Sequence, residues 1–332
     1  MSEIQTVTGP TRPEALGQTL MHEHLVIGYA GWEAHSIAPG PGRREMERIC
    51  VERIEEMKAL GFTAMLDPCP NDLGRDVELM AKVAQATGFQ IVCATGLYKE
   101  AEGGTAYWRF RSNFAPVVDA MAELFIRELS EGIGSTGIRA GIIKVATGPG
   151  RMSDYERTVF EAAARASLET GAPITTHTDQ GTVGDVQQKL LVDLGVPPHR
   201  ILIGHSCGTS DSKYHMGIAR GGSYLGFDRF GLDILHPDAE RVRSLLALLE
   251  RGAGDRILVS HDSVWCWKGT PFPDPAMLAA LQKRSQPRHF SEQIVPRLKE
   301  GGATDEQIRT LLVDNPRRFF AGEKLAALAG SA

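Results

Sequence analysis

Six residues have the types and spacing to do metal chemistry. His22 and His24 form an H-x-H pair in TLMHEHLVI, and Lys144 lies inside the apolar run IIKVA. His177 sits near the end of PITTHT, His205 near the end of RILIGHS, and Asp262 ends RILVSHD. Imidazole and carboxylate suit Zn, Fe, Co or Mn better than Ca or Mg. Taken singly, each has a plain alternative. A lone strand-end histidine is more often a hydrogen-bonded core residue than a ligand, and Asp262 could cap the next element. Lys144 is harder to dismiss, because a buried ammonium is costly unless something pairs with it or changes it.

Four imidazoles and a carboxylate are more than one hydrolytic metal with an open position uses. They suit two metals about 3.5–4 Å apart. Two cations need a bridge, and an ammonium cannot serve because it has no lone pair. A desolvated lysine near cations loses its proton readily. The free amine can then add CO2 and become a carbamate, a bidentate anion.

Residues so far apart in sequence must be gathered by their elements. Short apolar runs at 19–27, 63–67, 90–97, 139–146, 173–178, 200–206, 223–228 and 256–262 read as strands. Amphipathic segments lie between them, at 45–60, 74–87, 115–132, 182–194, 211–220 and 238–252. Another helix begins at 154 behind the S-x-x-E capping box of Ser153 and Glu156. The strands are apolar nearly throughout, as in a parallel sheet covered by helices. Eight βα units predict an α/β fold, a (β/α)8 TIM barrel, whose chemistry sits where the strands end. All six residues fall near that end, as do Tyr98 after strand three and Asp228 and Arg229 after strand seven. A doubly wound open sheet would need a Gly-rich phosphate turn after the first strand, and HEHLVIGYAGW is not one. Long loops are expected at 99–114 and 263–287, followed by a C-terminal helical extension with a T-x-x-Q box at Thr304 and Gln307. One domain is expected over 1–332.

Composition narrows the class. The 332 residues are 42% hydrophobic and 23% charged, with a net charge of −5. There is no basic run for nucleic acid and no apolar run of the ~18 residues a membrane helix needs. The start MSEIQTVTGP has neither part of a signal peptide. Five scattered cysteines fit reduced thiols, so a cytoplasmic location is expected.

Together these motifs resemble the phosphotriesterase-like group of the amidohydrolase superfamily, including its lactonase branch. The likeness runs from GQTLMHEHL through GRDVELMAKVAQATG, ATGLY, IIKVA, ITTHT, ILIGHS, GFDRFGLD and SHD to NPRRFF. It implies that His22, His24 and Asp262 hold a buried metal and that His177 and His205 hold an exposed one. Carboxylated Lys144 and a hydroxide would bridge the two divalent ions, with Zn first and Fe, Co or Mn as alternatives. The hydroxide would attack a carbonyl or phosphoryl centre, and Asp262 would take the proton. Tyr98 and Arg229 look like the lactonase-branch pair over the metals; their alternative is simple packing for Tyr98 and a pair with Asp228 for Arg229. Relatives are commonly dimers, so a homodimer is expected.

The implied substrate is a small lactone or ester, with weaker action on organophosphate triesters. A dedicated phosphotriesterase is the alternative. A Schiff-base aldolase using Lys144 and a non-catalytic binding barrel also remain open. In the apolar segment 263–287, Trp265, Cys266 and Trp267 are expected to wall the substrate pocket, or else to pack on the barrel or a partner. Two departures stand out. Relatives often carry Asp three residues after the strand-six histidine, where this chain has Gly208, with Ser210 and Asp211 nearby. The stretch DSVWCW is also about one residue shorter than in typical lactonases.

Overall fold

The structure, a computed structural model, describes residues 3–272, 274–284 and 286–328. An antiparallel hairpin of β1 (Ile4–Thr6) and β2 (Gly9–Thr11) comes first. Strand β3 (Gln18–Leu20) follows, and β4 (Glu23–Ile27) begins after a break at Met21 and His22. Next come β5 (Phe62–Asp67), β6 (Gln90–Gly96), β7 (Ile142–Lys144) and β8 (Ile174–Thr175). The last are β9 (Ile201–Ile203), β10 (Tyr224–Phe227), β11 (Ile257–Val259) and β12 (Ser263–Trp267).

Eight of these form one parallel sheet in the order β3, β5, β6, β7, β8, β9, β10, β11. Backbone bonds across the seam, Met21 N to Val259 O at 3.2 Å and Asp262 N to His22 O at 3.0 Å, bring its two ends together. This is the expected (β/α)8 barrel. Its helices are α1 (Arg43–Ala59), α2 (Val77–Thr87), α3 (Thr105–Ser112), α4 (Val118–Ser130), α5 (Asp154–Thr170), α6 (Gly184–Asp193), α7 (Ser212–Arg220), α8 (Asp238–Glu250) and α9 (Pro275–Arg284). The Ser153–Glu156 and Thr304–Gln307 capping boxes both form, the second opening a helical tail that runs to Ala321.

Strand residues alternate between two apolar clusters, which is why the strands read as apolar nearly throughout. Ala64, Leu66, Val92, Ala94, Ile142, Leu202, Tyr224 and Leu258 pack with Phe319 and Phe320 of the tail in one. Met65, Ile91, Cys93, Ile143, Ile201, Ile203, Leu225 and Phe227 join the other, with Met57, Val83, Phe125 and Phe160 from the helices. The first cluster fills the barrel and the second lies under the helices. By the same alternation Lys144 shares the interior face with Ile142.

Three expectations are corrected. The run 19–27 is two strands rather than one, because β4 leaves the barrel after His22. Segment 263–287 is not a loop throughout: β12 pairs in parallel with β4, Val264 opposite His24 and Cys266 opposite Val26. The left-handed backbone of Asp262 (φ 54°) separates β12 from β11. Segment 99–114 contains α3, whose Thr105 and Trp108 are buried one turn apart. Gly103 and Gly104 immediately before it hid its start.

Candidate active site

The strand ends bring His22, His24, Lys144, His177, His205 and Asp262 to one wall of a single cavity of about 350 Å³, together with Tyr98 and Arg229. Lys144 is the last residue of β7 and only 2% exposed. Its Nζ donates to Thr176 O at 3.2 Å and lies 3.5 Å from His22 Nε2. Asp262 Oδ1 lies 3.4 Å from His22 Nε2 and 3.3 Å from His24 Nε2, and Oδ2 is 3.8 Å from His205 Nε2. The rings of His177 and His205 are 4.6 Å apart between centroids. Among the described residues, His22, His24 and Asp262 have ligand atoms close enough together to share one cation.

Carboxylates behind the cluster fix which nitrogen each imidazole offers. His22 Nδ1 donates to Asp228 at 3.2 Å, and His205 Nδ1 donates to the same carboxylate at 2.9 Å. His24 Nδ1 pairs with Asp67 at 3.3 Å. All three therefore turn Nε2 toward the centre. His177 is reversed: Nε2 donates to Asp179 at 3.0 Å, and Nδ1 faces the Tyr98 hydroxyl at 3.3 Å. His205 (φ 56°) and Asp262 both sit in the left-handed region, which is unfavourable for such residues and re-aims their side chains off the strand direction.

Electrostatics follow from burial and these pairs. Burial lowers Lys144 to about 8 and His22 to about 3. It also lowers His177 and His205. For His24 burial acts the same way, but its bonds to Asp262 and Asp67 outweigh it and raise the imidazole. Burial opposes ionisation of Asp262, yet His205, Arg229 and His22 hold it well below the carboxylate range.

Arg229 donates from Nε to Asp262 Oδ2 at 2.8 Å, so its carboxylate partner is Asp262 rather than Asp228. Ile27, Leu73, Leu232, Val264, Trp267 and Phe272 line the cavity above, with Met277 and Leu281 from α9. Trp267 is on that wall as expected. Trp265 and Cys266 are not: the Trp265 indole donates to Ser263 Oγ at 3.0 Å, and Cys266 meets Cys50 of α1. Neither candidate near Gly208 reaches the site. Asp211 caps α7 by accepting from Lys213 N and Tyr214 N, and Ser210 Oγ pairs with His236.

Sequence reasoning gave no role to Glu23, Asp67 or Asp179, and Asp228 figured only as an alternative partner for Arg229. Asp67 and Asp228 each end an apolar strand motif, TAMLD and SYLGFD, and that position was the available signal.

Barrel and site together define a (β/α)8 hydrolase. A model of the phosphotriesterase family matches residues 2–320, and the chain belongs to that family. It is 35% identical to an aryldialkylphosphatase of Saccharolobus solfataricus over 308 residues, 92% of this chain and 95% of that one. The solved organophosphorus hydrolase of Deinococcus radiodurans superposes with a TM-score of 0.92 at 41% identity, covering 96% of each chain. A solved structure described as organophosphate hydrolysis activity engineered from a weak promiscuous lactonase template also gives 0.92, at 40% identity over 96% of this chain and all of the other. The chain is thus a metal-dependent hydrolase acting on ester bonds, which sets aside the Schiff-base aldolase and the non-catalytic barrel. Among the described residues no helix is long and apolar enough to cross a membrane.

Proposed function

We propose that this enzyme is a binuclear hydrolase that opens lactones and cleaves related esters, with weaker action on organophosphate triesters. One observation supports it most: Lys144 is buried and shares a cavity lining with four histidines and Asp262, with no carboxylate bonded to its Nζ among the described residues. The donor set fits two divalent ions, Zn first. Three imidazoles have Nδ1 occupied by carboxylates and Nε2 turned toward the centre of the cluster, and His177 has the reverse. His22, His24 and Asp262 would hold one ion and His177 and His205 the other, with carboxylated Lys144 between. So loaded, the site supplies an activated water and a Lewis acid for the substrate oxygen.

The chain's own residues do the rest. Lys144, lowered to about 8, offers a free amine for CO2 far more readily than an exposed lysine. Asp262 is held ionised and accepts the proton released by the attacking water. Arg229 steadies its carboxylate from 2.8 Å. Tyr98 presents its hydroxyl at the cavity wall beside His177. Trp267, Phe272 and Met277 offer apolar surface to an acyl or alkyl group and keep water from the floor.

A lactone preference is supported by Tyr98 and Arg229 and by the lactonase parentage of the engineered relative. The alternative, a dedicated phosphotriesterase, is favoured by the aryldialkylphosphatase relative. Side-by-side kcat/KM for an acyl homoserine lactone, a simple δ-lactone and paraoxon separates them. Lactone turnover should be the faster by orders of magnitude, and the reverse order would sink the lactonase reading. The homodimer and the cytoplasmic location belong to the same proposal, and sedimentation of the purified protein tests the first.

A further inference from the structure

We infer that Glu23, the residue between the two histidines of H-x-H, is a positioning residue that locks Asp262 into its left-handed conformation. This rests on the proposed role of Asp262 as ligand and proton acceptor.

Glu23 is completely buried, opening a strand whose other residues are His24 and the apolar Leu25, Val26 and Ile27. Its carboxylate accepts from both residues that flank Asp262. Oε1 takes His261 N at 2.9 Å and His261 Nδ1 at 2.6 Å, and Oε2 takes Ser263 Oγ. Oε1 also accepts from Ser260 Oγ at 2.8 Å. Each side-chain donor is aimed from behind. Trp265 Nε1 donates into Ser263 Oγ at 3.0 Å, leaving the Ser263 proton for Glu23. Phe290 N donates into His261 Nε2 at 2.9 Å, which leaves the proton on Nδ1. His22 N donates into Ser260 Oγ at 2.9 Å, so that hydroxyl also points at Glu23.

Only an acceptor at both oxygens closes this arrangement. The segment it grips, Ser260–Ser263, contains the one residue that must stay at φ 54° for its carboxylate to lie against His22 and His24. Strain of that kind persists only where neighbours over-determine the backbone. Glu23 is absent from the cavity lining, and so are the side-chain partners Ser260, His261 and Ser263 that it holds. It therefore acts through Asp262, and through the Ser260 hydroxyl on the backbone of His22.

The test uses full-length Glu23→Leu and Glu23→Gln, with Zn2+ titrated into the metal-free protein and turnover of a simple δ-lactone measured at saturating Zn2+. Glu23→Leu should weaken Zn2+ binding and lower kcat by about 10- to 100-fold, with KM nearly unchanged. Glu23→Gln should fall between Glu23→Leu and the unaltered enzyme, because its amide oxygen can take the three bonds Oε1 takes now while its NH2 cannot accept the Ser263 proton. A purely structural Glu23 would lower the melting temperature of the metal-free protein and leave Zn2+ affinity and kcat within about threefold of the unaltered enzyme; that result overturns the inference. If Glu23→Leu does not fold, the double substitution Ser260→Ala with Ser263→Ala removes one grip on each side and should cost about tenfold in the same two quantities, with the same overturning result. Asp262→Asn is measured alongside. If it keeps full Zn2+ affinity and turnover, the reading of Asp262 fails; if it loses them while the Glu23 variants do not, only the positioning role fails.

Discussion

Lys144 concentrates the chemistry at the scale of single residues. Burial lowers it to about 8, so its amine is about one-tenth free at pH 7 and about nine-tenths free at pH 9. The sign is fixed by desolvation, which disfavours the ammonium. Reactivation of metal-free enzyme by Zn2+ at a fixed concentration of dissolved CO2 is therefore expected to speed up as pH rises through about 8, and a rate flat across pH 7–9 at constant CO2 would contradict it. Lys144→Ala should lose nearly all activity and regain part of it with added short carboxylates, as turnover assays with and without propionate would reveal. Asp228 binds the Nδ1 of both His22 and His205, so Asp228→Asn should weaken metal binding about 10- to 100-fold in a chelator-competition titration. These carboxylates were the part of the site the sequence concealed. The proposed ligands His22, His24, His177, His205 and Asp262 are betrayed by their types at strand ends. Asp67, Asp179 and Glu23 matter only through which nitrogen or backbone they hold, and that exists only in three dimensions.

Elements position these residues with little room to spare. Gly96 of β6 lies opposite Lys144 of β7, and a Cβ there would come within 1.8 Å of the Lys144 carbonyl oxygen. Its φ of 132° is also unfavourable for other residues. Gly96→Ala should destabilise the fold by about 2 kcal/mol or more, read by urea unfolding, and displace the lysine. The eight barrel strands were legible because both their faces are apolar. The strand β12 was not, because the pattern of strand eight looks complete at Asp262 and the chain then turns out of the barrel to pair with β4. That pairing explains why only part of the aromatic segment faces the substrate: Trp267 lines the cavity while the indole of Trp265 is tied to Ser263. Trp267→Ala should therefore change the preference among lactones of different chain length, seen as an altered ratio of kcat/KM values.

For the whole molecule, a barrel plugged by Phe319 and Phe320 at one end carries the reactive cavity at the other. Metals that bind only the folded chain stabilise it, by about 2.7 kcal/mol per site at a concentration one hundred times Kd. Chelator treatment should lower both melting temperature and activity, with divalent metal and bicarbonate restoring them. The proposed function depends above all on a carbamate on Lys144 between two cations. The most direct measurement is a crystal structure of the Zn2+-loaded enzyme with anomalous scattering at the zinc edge. Two anomalous peaks about 3.5–4 Å apart with planar carbamate density extending from Lys144 Nζ between them are predicted. A bare Nζ, or a single metal in the fully active enzyme, would contradict the account.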